Sequence, residues 1–180
     1  MFEPVKNLFR RRKIRKLSKA VTTGLLPLSE ISSVNVIMDV EEAGYDVLKD
    51  NILAWGRSEG KKVNIYFFDF RKLGANELLL TSIQTTIARK DLNWFGMPEY
   101  GKVAGLVEDP SDLLISLIDN GDYPVDFIAK CSSARFKIGR KAYPGHVFDM
   151  ILSGKNTDGL RSGGSEVFAG IVEFLGKISS

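Results

Sequence analysis

The stretch that most constrains the fold is Asp109 to Arg140, DPSDLLISLIDNGDYPVDFIAKCSSARFKIGR. Leu113 to Ile118 is an apolar run interrupted only by Ser116. That pattern suits a parallel strand buried on both faces. Asp119, Asn120, Gly121 and Asp122 break the run. Pro124 fits a first helical turn, where a missing N–H costs nothing. Val125, Ile128, Ala129 and Cys131 keep near-helical spacing, and Arg135 to Gly139 alternates polar and apolar as a half-buried strand does. Strand, helix and strand in this order make a βαβ crossover, which is right-handed in nearly all α/β sheets.

At 180 residues, 44% of them hydrophobic and 26% charged, the chain is expected to form one globular domain with an ample core. No apolar run approaches the length of a transmembrane helix, and the N-terminus does not read as a signal peptide. The single cysteine, Cys131, has no partner for an internal disulfide, so a reducing, cytoplasmic setting is expected, with Cys131 as a small buried apolar residue. The net charge of +3 hides an asymmetry. Residues 1–20 carry eight Lys/Arg against Glu3, a net of +7, while the other 160 residues carry 17 against 21, a net of −4. A basic arm therefore precedes a mildly acidic domain.

Val5 to Val21 has helical composition, but its apolar residues fall into two sets. Val5, Leu8 and Phe9 share one side at 100° per residue, and Ile14, Leu17 and Val21 share roughly the opposite side. Such a break does not read as a clean membrane-surface helix; it predicts a kink, or two pieces that dock differently. The cations Arg10, Arg11, Arg12, Lys13, Arg15 and Lys16 are the candidate contacts for an acidic partner. Thr22 to Ser33 reads as a connector. Val34 to Met38 predicts the first strand, and Tyr45, Leu48, Ile52 and Trp55 mark one face of a helix. Lys62 to Phe68 predicts a second strand.

Residues 73–108 are ambiguous: Asn76 to Ile83 suits a helix, and Ser82 to Ile87 equally suits a short strand. Lys90 to Gly96, with Trp94 and Phe95, either pins a loop to the body or lines a pocket. Val147 to Leu152 predicts another strand. A glycine-rich loop, 153–165, then leads into a last helix whose face is Val167, Phe168, Ile171, Val172, Leu175 and Ile178.

Few chemistries find their residues. His146, the only histidine, sits beside a turn without a nucleophile motif. One His and one Cys do not make an ordinary zinc site. Neither a P-loop nor a G-x-G-x-x-G pattern is present. We therefore assign no catalytic residue, metal ligand or cofactor. Two weaker patterns remain. The loop into the last helix offers Lys155, Gly163, Gly164 and Ser165 as a phosphate-binding set, with Arg161 adding charge. Asp39, Glu41 and Glu42 after the first strand, with Asp119 and Asp122 after the central one, make the expected ligand crevice acidic. A phosphate there would need a cation such as Mg²⁺.

Over nearly its full length the chain resembles a family of uncharacterised Bacteroidetes proteins, a domain of unknown function. The segments that carry this are KDLNWFG at 90–96, DLLISL at 112–117 and SSARFKIG at 132–139. DLLISL, a helix and SSARFKIG also resemble the N-terminal Rossmann-like half of heptosyltransferase-like glycosyltransferases. VNVIMDVEEAGYDVL, 34–48, is similar to that family's first strand and its Gly-Asp catalytic turn, although Tyr45 here separates Gly44 from Asp46. That resemblance implies a sugar nucleotide bound mostly by a C-terminal half, beyond the span matched here.

These observations predict a three-layer, Rossmann-like α/β sandwich with a mostly parallel sheet. Residues 1–30 form a basic helical arm and connector, and 31–180 a single α/β domain. The expected role is a non-enzymatic binding or interaction module whose arm contacts RNA, DNA or an anionic membrane surface, or docks on a protein partner. The alternative is a domain that binds a nucleotide or nucleotide sugar, glycosyltransferase-like.

Overall fold

Alternating strands and helices dominate a computed structural model of the chain, which describes residues 3–74, 77–154 and 163–178. The elements are α1 (Glu3–Leu17), β1 (Ser33–Asp39), α2 (Tyr45–Ser58), β2 (Lys62–Asp69), β3 (Thr86–Ala88), α3 (Tyr100–Glu108), β4 (Ser111–Ser116), α4 (Val125–Cys131), β5 (Ala134–Gly139), β6 (Met150–Ile151) and α5 (Gly164–Lys177). The strands form one sheet in the order β3-β2-β1-β4-β5-β6, and every pairing is parallel.

The central strands are mostly apolar because both of their faces are covered, with Asn35 and Ser116 as buried polar exceptions. Val34, Val36 and Met38 of β1 face Leu48 and Ile52 of α2 and Val167, Phe168, Ile171 and Leu175 of α5. Ile37 and Leu114 face the opposite layer, where Val103, Leu106 and Val107 of α3 meet Val125 and Ile128 of α4. The architecture is a three-layer α/β sandwich of Rossmann-like type. From β1 the chain goes through α2 to one face, and into β4 it comes through α3 from the other. Neighbouring β1 and β4 thus form the switch point, where connections diverge and open a crevice at the strand C-terminal ends.

Several elements differ from their sequence-based limits. α3 was not expected, because Gly101 and Gly105 dilute the helical pattern of Val103, Leu106 and Val107. Gly105 has a steric reason: a Cβ there would lie 2.5 Å from the Tyr66 hydroxyl oxygen. Of the strand expected over Ser82 to Ile87 only the end is formed, as β3 from Thr86, with Phe68 opposite Ile87; 77–85 are not helical, and Asn76 lies outside the described residues. The strand over 147–152 shortens to Met150–Ile151, because Val147 and Phe148 turn into the core instead.

The basic segment is one continuous helix, and the segment after it is extended from Ser18. Ile14 and Leu17 pack on the α3/α4 layer. The chain then passes the N-terminal ends of the strands, where the Gly24 N–H donates to the Arg135 carbonyl at 3.2 Å. Leu25, Leu26 and Leu28 pack on the opposite layer before Ile31 enters the core. Residues 3–31 therefore clasp both faces of the sheet.

Candidate functional site

Asp39 ends β1 at the switch point. Its Oδ1 accepts the Glu41 N–H at 2.8 Å and the Tyr123 hydroxyl at 2.9 Å. The same hydroxyl lies 2.8 Å from Glu41 Oε2. One hydroxyl proton thus faces two carboxylates. Burial pushes the Asp39 carboxyl above its ordinary range, against the two hydrogen bonds that pull it down. Tyr123 is 2% exposed, its ring stacked on Phe68 at 4.8 Å and edge-on to Phe70 at 4.6 Å. Burial and the two carboxylates drive its phenol far above the ordinary value, so Tyr123 acts as a donor and not as a base.

Glu42 has a different partner set. Arg140, just after β5, directs Nη1 to both Glu42 carboxylate oxygens, at 2.9 and 3.0 Å, and to the Leu117 carbonyl at 3.0 Å. Glu42 Oε1 also accepts the Gly164 N–H at 2.6 Å. The chain's own carboxylate thus occupies the N-terminus of α5, the place where a bound phosphate would sit. Gly163 is the exposed residue before the helix, Gly164 is buried, and Ser165 is exposed in the first turn. Lys155 and Arg161 lie outside the described residues.

A third acid, Asp69 at the end of β2, is 1% exposed and accepts Arg71 Nε at 2.8 Å and Nη2 at 2.7 Å. The crevice is rich in acids, as its sequence implies, but Asp39, Glu42 and Asp69 are all engaged by the chain's own donors. Among the described residues no three His, Cys, Asp or Glu side chains are placed to hold one metal ion. Two clefts flank this edge. One of about 910 Å³ lies at the ends of β2 and β3, with Arg71, Arg89 and Lys90 and the acids Asp69 and Glu77 among mostly apolar side chains. The other, of about 550 Å³, lies between α1 and the loops 92–97 and 121–126.

His146 is an exposed turn residue with φ of 49°. Cys131 is fully buried on α4, and burial pushes its thiol up to about 12. Asp46 is exposed in the first turn of α2.

The structure divides the candidate cations of the arm. Arg10 turns inward, and its Nε donates to the Phe95 carbonyl at 2.7 Å. Lys13 is half-buried. Arg11, Arg12, Arg15 and Lys16 are exposed, and among the described residues none has a carboxylate partner. Phe9 packs edge-on to Trp94 at 5.3 Å and stacks on Phe95 at 6.0 Å, so the aromatic cluster pins its loop to α1. Val5, Leu8 and Phe9 remain 44%, 50% and 41% exposed, and Trp94 is 59% exposed. The two apolar sets of the arm thus part on one helix: Ile14 and Leu17 dock, Phe9 packs on the Trp94–Phe95 loop, and Val5 and Leu8 look outward.

Tyr123 and Arg140 are the residues that sequence reasoning missed. Their signal was slight: a tyrosine inside an acid-flanked turn, and an arginine immediately after a strand.

No curated protein and no solved structure matches the chain. A family described as "Family of unknown function (DUF6913)" matches residues 6–162, a span that takes in most of α1, the whole sheet and the switch-point acids. The chain belongs to this family of unknown function.

Proposed function

We propose that this protein is a non-enzymatic binding module whose helix α1 contacts an acidic partner, RNA or an anionic membrane surface. One observation carries the reading. Arg12, Arg15 and Lys16 stand together on the outward side of a helix whose inward side is anchored by Arg10, Ile14 and Leu17, and Arg11 is exposed beside them at the 550 Å³ cleft. The cations are presented by a fixed support and not by a loose tail. Such a surface gives binding that weakens steeply with salt, because each neutralised phosphate releases counterions. With four contacts on a nucleic acid, affinity falls roughly a hundred-fold between 50 and 200 mM salt.

The test replaces Arg11, Arg12, Arg15 and Lys16 with glutamine. None of the four packs inward, so the fold survives, which far-UV circular dichroism checks. Loss of binding to RNA or to anionic vesicles supports the reading. Binding that ignores both salt and the substitutions refutes it. Deleting residues 1–20 is a poorer test, since it also strips Ile14 and Leu17 from the core.

A second reading is nucleotide or nucleotide-sugar binding at the C-terminal edge of the sheet. It is favoured by the 910 Å³ cleft at the ends of β2 and β3, where Arg89 and Lys90 supply positive charge. It predicts a thermal shift with nucleotide and Mg²⁺ that shrinks in Lys90→Ala. A flat response across a nucleotide panel counts against it.

A further inference from the structure

We infer that the partner of α1 is an anionic lipid bilayer, on which the helix lies flat with its outward face at the headgroup level. This rests on the reading of that face as the contact surface. The argument comes from what stands between the cations. Turning 100° per residue, the outward arc runs Arg15, Leu8, Arg12, Val5 and Lys16, so two aliphatic side chains alternate with three cations. Leu8 is 50% exposed and Val5 44%. Nucleic-acid phosphates and sugars give such side chains little apolar surface to bury. The boundary between headgroups and acyl chains does, while arginine and lysine reach back to the lipid phosphates.

Two further features point the same way. The only aromatic ring within α1, Phe9, is already packed against Trp94 and Phe95, so it is not free to stack a base. Trp94, at the rim of the same face, is 59% exposed, and an indole with one apolar edge and one N–H suits the membrane–water interface. The 15-residue helix presents a ridge about 22 Å long. Among the described residues no helix is long and apolar enough to cross a membrane. The contact is therefore peripheral, and it combines charge with modest apolar insertion, the two contributions that reversible membrane binding needs.

The test is co-sedimentation of the full chain with vesicles of phosphatidylcholine, with and without phosphatidylglycerol, beside a single-stranded RNA oligonucleotide in a fluorescence titration. Binding is expected only to vesicles that contain phosphatidylglycerol. Arg12→Gln together with Arg15→Gln lowers the partition coefficient roughly thirty-fold. Leu8→Gln, which leaves every charge in place, lowers it about five-fold. RNA binding without vesicle binding overturns the membrane inference and leaves the acidic-partner reading standing. Binding to neither ligand overturns both. Vesicle binding that Leu8→Gln leaves unchanged also overturns the flat, inserted geometry.

Discussion

Replacing Tyr123 with phenylalanine removes one oxygen and almost nothing else. The ring keeps its stack on Phe68 and its edge contact with Phe70. What is lost is the hydroxyl held 2.9 Å from Asp39 and 2.8 Å from Glu41. A hydrogen bond to a charged acceptor contributes about 1.5–3 kcal/mol. Glu41 is exposed and counts for little, so Asp39 sets the magnitude, about 2 kcal/mol at pH 7. In a chain of this length that lowers Tm by about 4–8 °C.

The pH dependence is more telling than the size. Asp39 is raised in the folded state, so its protonated form is the favoured one there, and the stability it contributes fades as pH rises through its folded value. The Tyr123 hydroxyl bonds the ionised form and so offsets part of that loss. Without it, Asp39 rises further. Tyr123→Phe is therefore most damaging near neutrality and progressively less so as Asp39 takes up its proton on acidification. Urea denaturation of both proteins between pH 4 and 7.5 measures this. A difference in stability that stays constant across the range, or no difference at pH 7, refutes the proton arrangement at the switch point.

Three more outcomes follow from contacts elsewhere. Gly139→Ala puts a Cβ 2.4 Å from the Phe148 ring and should cost about 2 kcal/mol, with Phe148→Leu in the same chain restoring part of it in chemical denaturation. Asp112 accepts the Ser32 and Ser33 N–H groups at 2.8 and 3.0 Å. Burial raises its carboxyl, but these bonds and the Ser33 hydroxyl outweigh that and hold it below the ordinary value. Its contribution is thus present above the unfolded value near 3.9 and lost as pH falls through the folded one, so Asp112→Asn should destabilise at pH 7, and the gap to the parent should narrow only on acidification below the ordinary carboxylate range in urea titrations. Glu42→Ala leaves Arg140 and the Gly164 N–H without this acceptor. The loss is about 2 kcal/mol, below that of a fully buried pair because the Glu42 side chain keeps 20% exposure, and calorimetry reads it as a lower Tm.

The parts of this fold that were legible in sequence are those where one physical requirement dominates. β1 and β4 are buried on both faces, so their apolar runs are broken only by Asn35 and Ser116; α5 buries one clean stripe. α3 was not legible because Gly105 answers to Tyr66, a residue on a strand, and not to helix propensity. The acids after β1 were visible as a cluster, but their partners were not. Tyr123 and Arg140 reach them across 82 to 98 residues, and the Gly164 N–H across 122, so local pattern holds no trace of the pairing. The arm shows the limit most plainly. Two apolar sets on opposite sides of a helix mean that one set packs inward, but which one depends on the α3/α4 layer that receives it.

The clasp made by residues 3–31 has a consequence for the order in which the protein comes together during synthesis. The basic helix is made before its anchors: Phe95 for Arg10, and Arg135 for the link at Gly24. Until the chain has been made as far as β5, the helix has no completed surface on which to dock, and the repulsion among its cations keeps it from folding alone. The charge of this helix is thus unsupported until those later segments have been made, and it becomes oriented only then. On the proposed reading, contact with an anionic surface begins before the sheet is closed, and closure of the sheet then directs Arg12, Arg15 and Lys16 to one side.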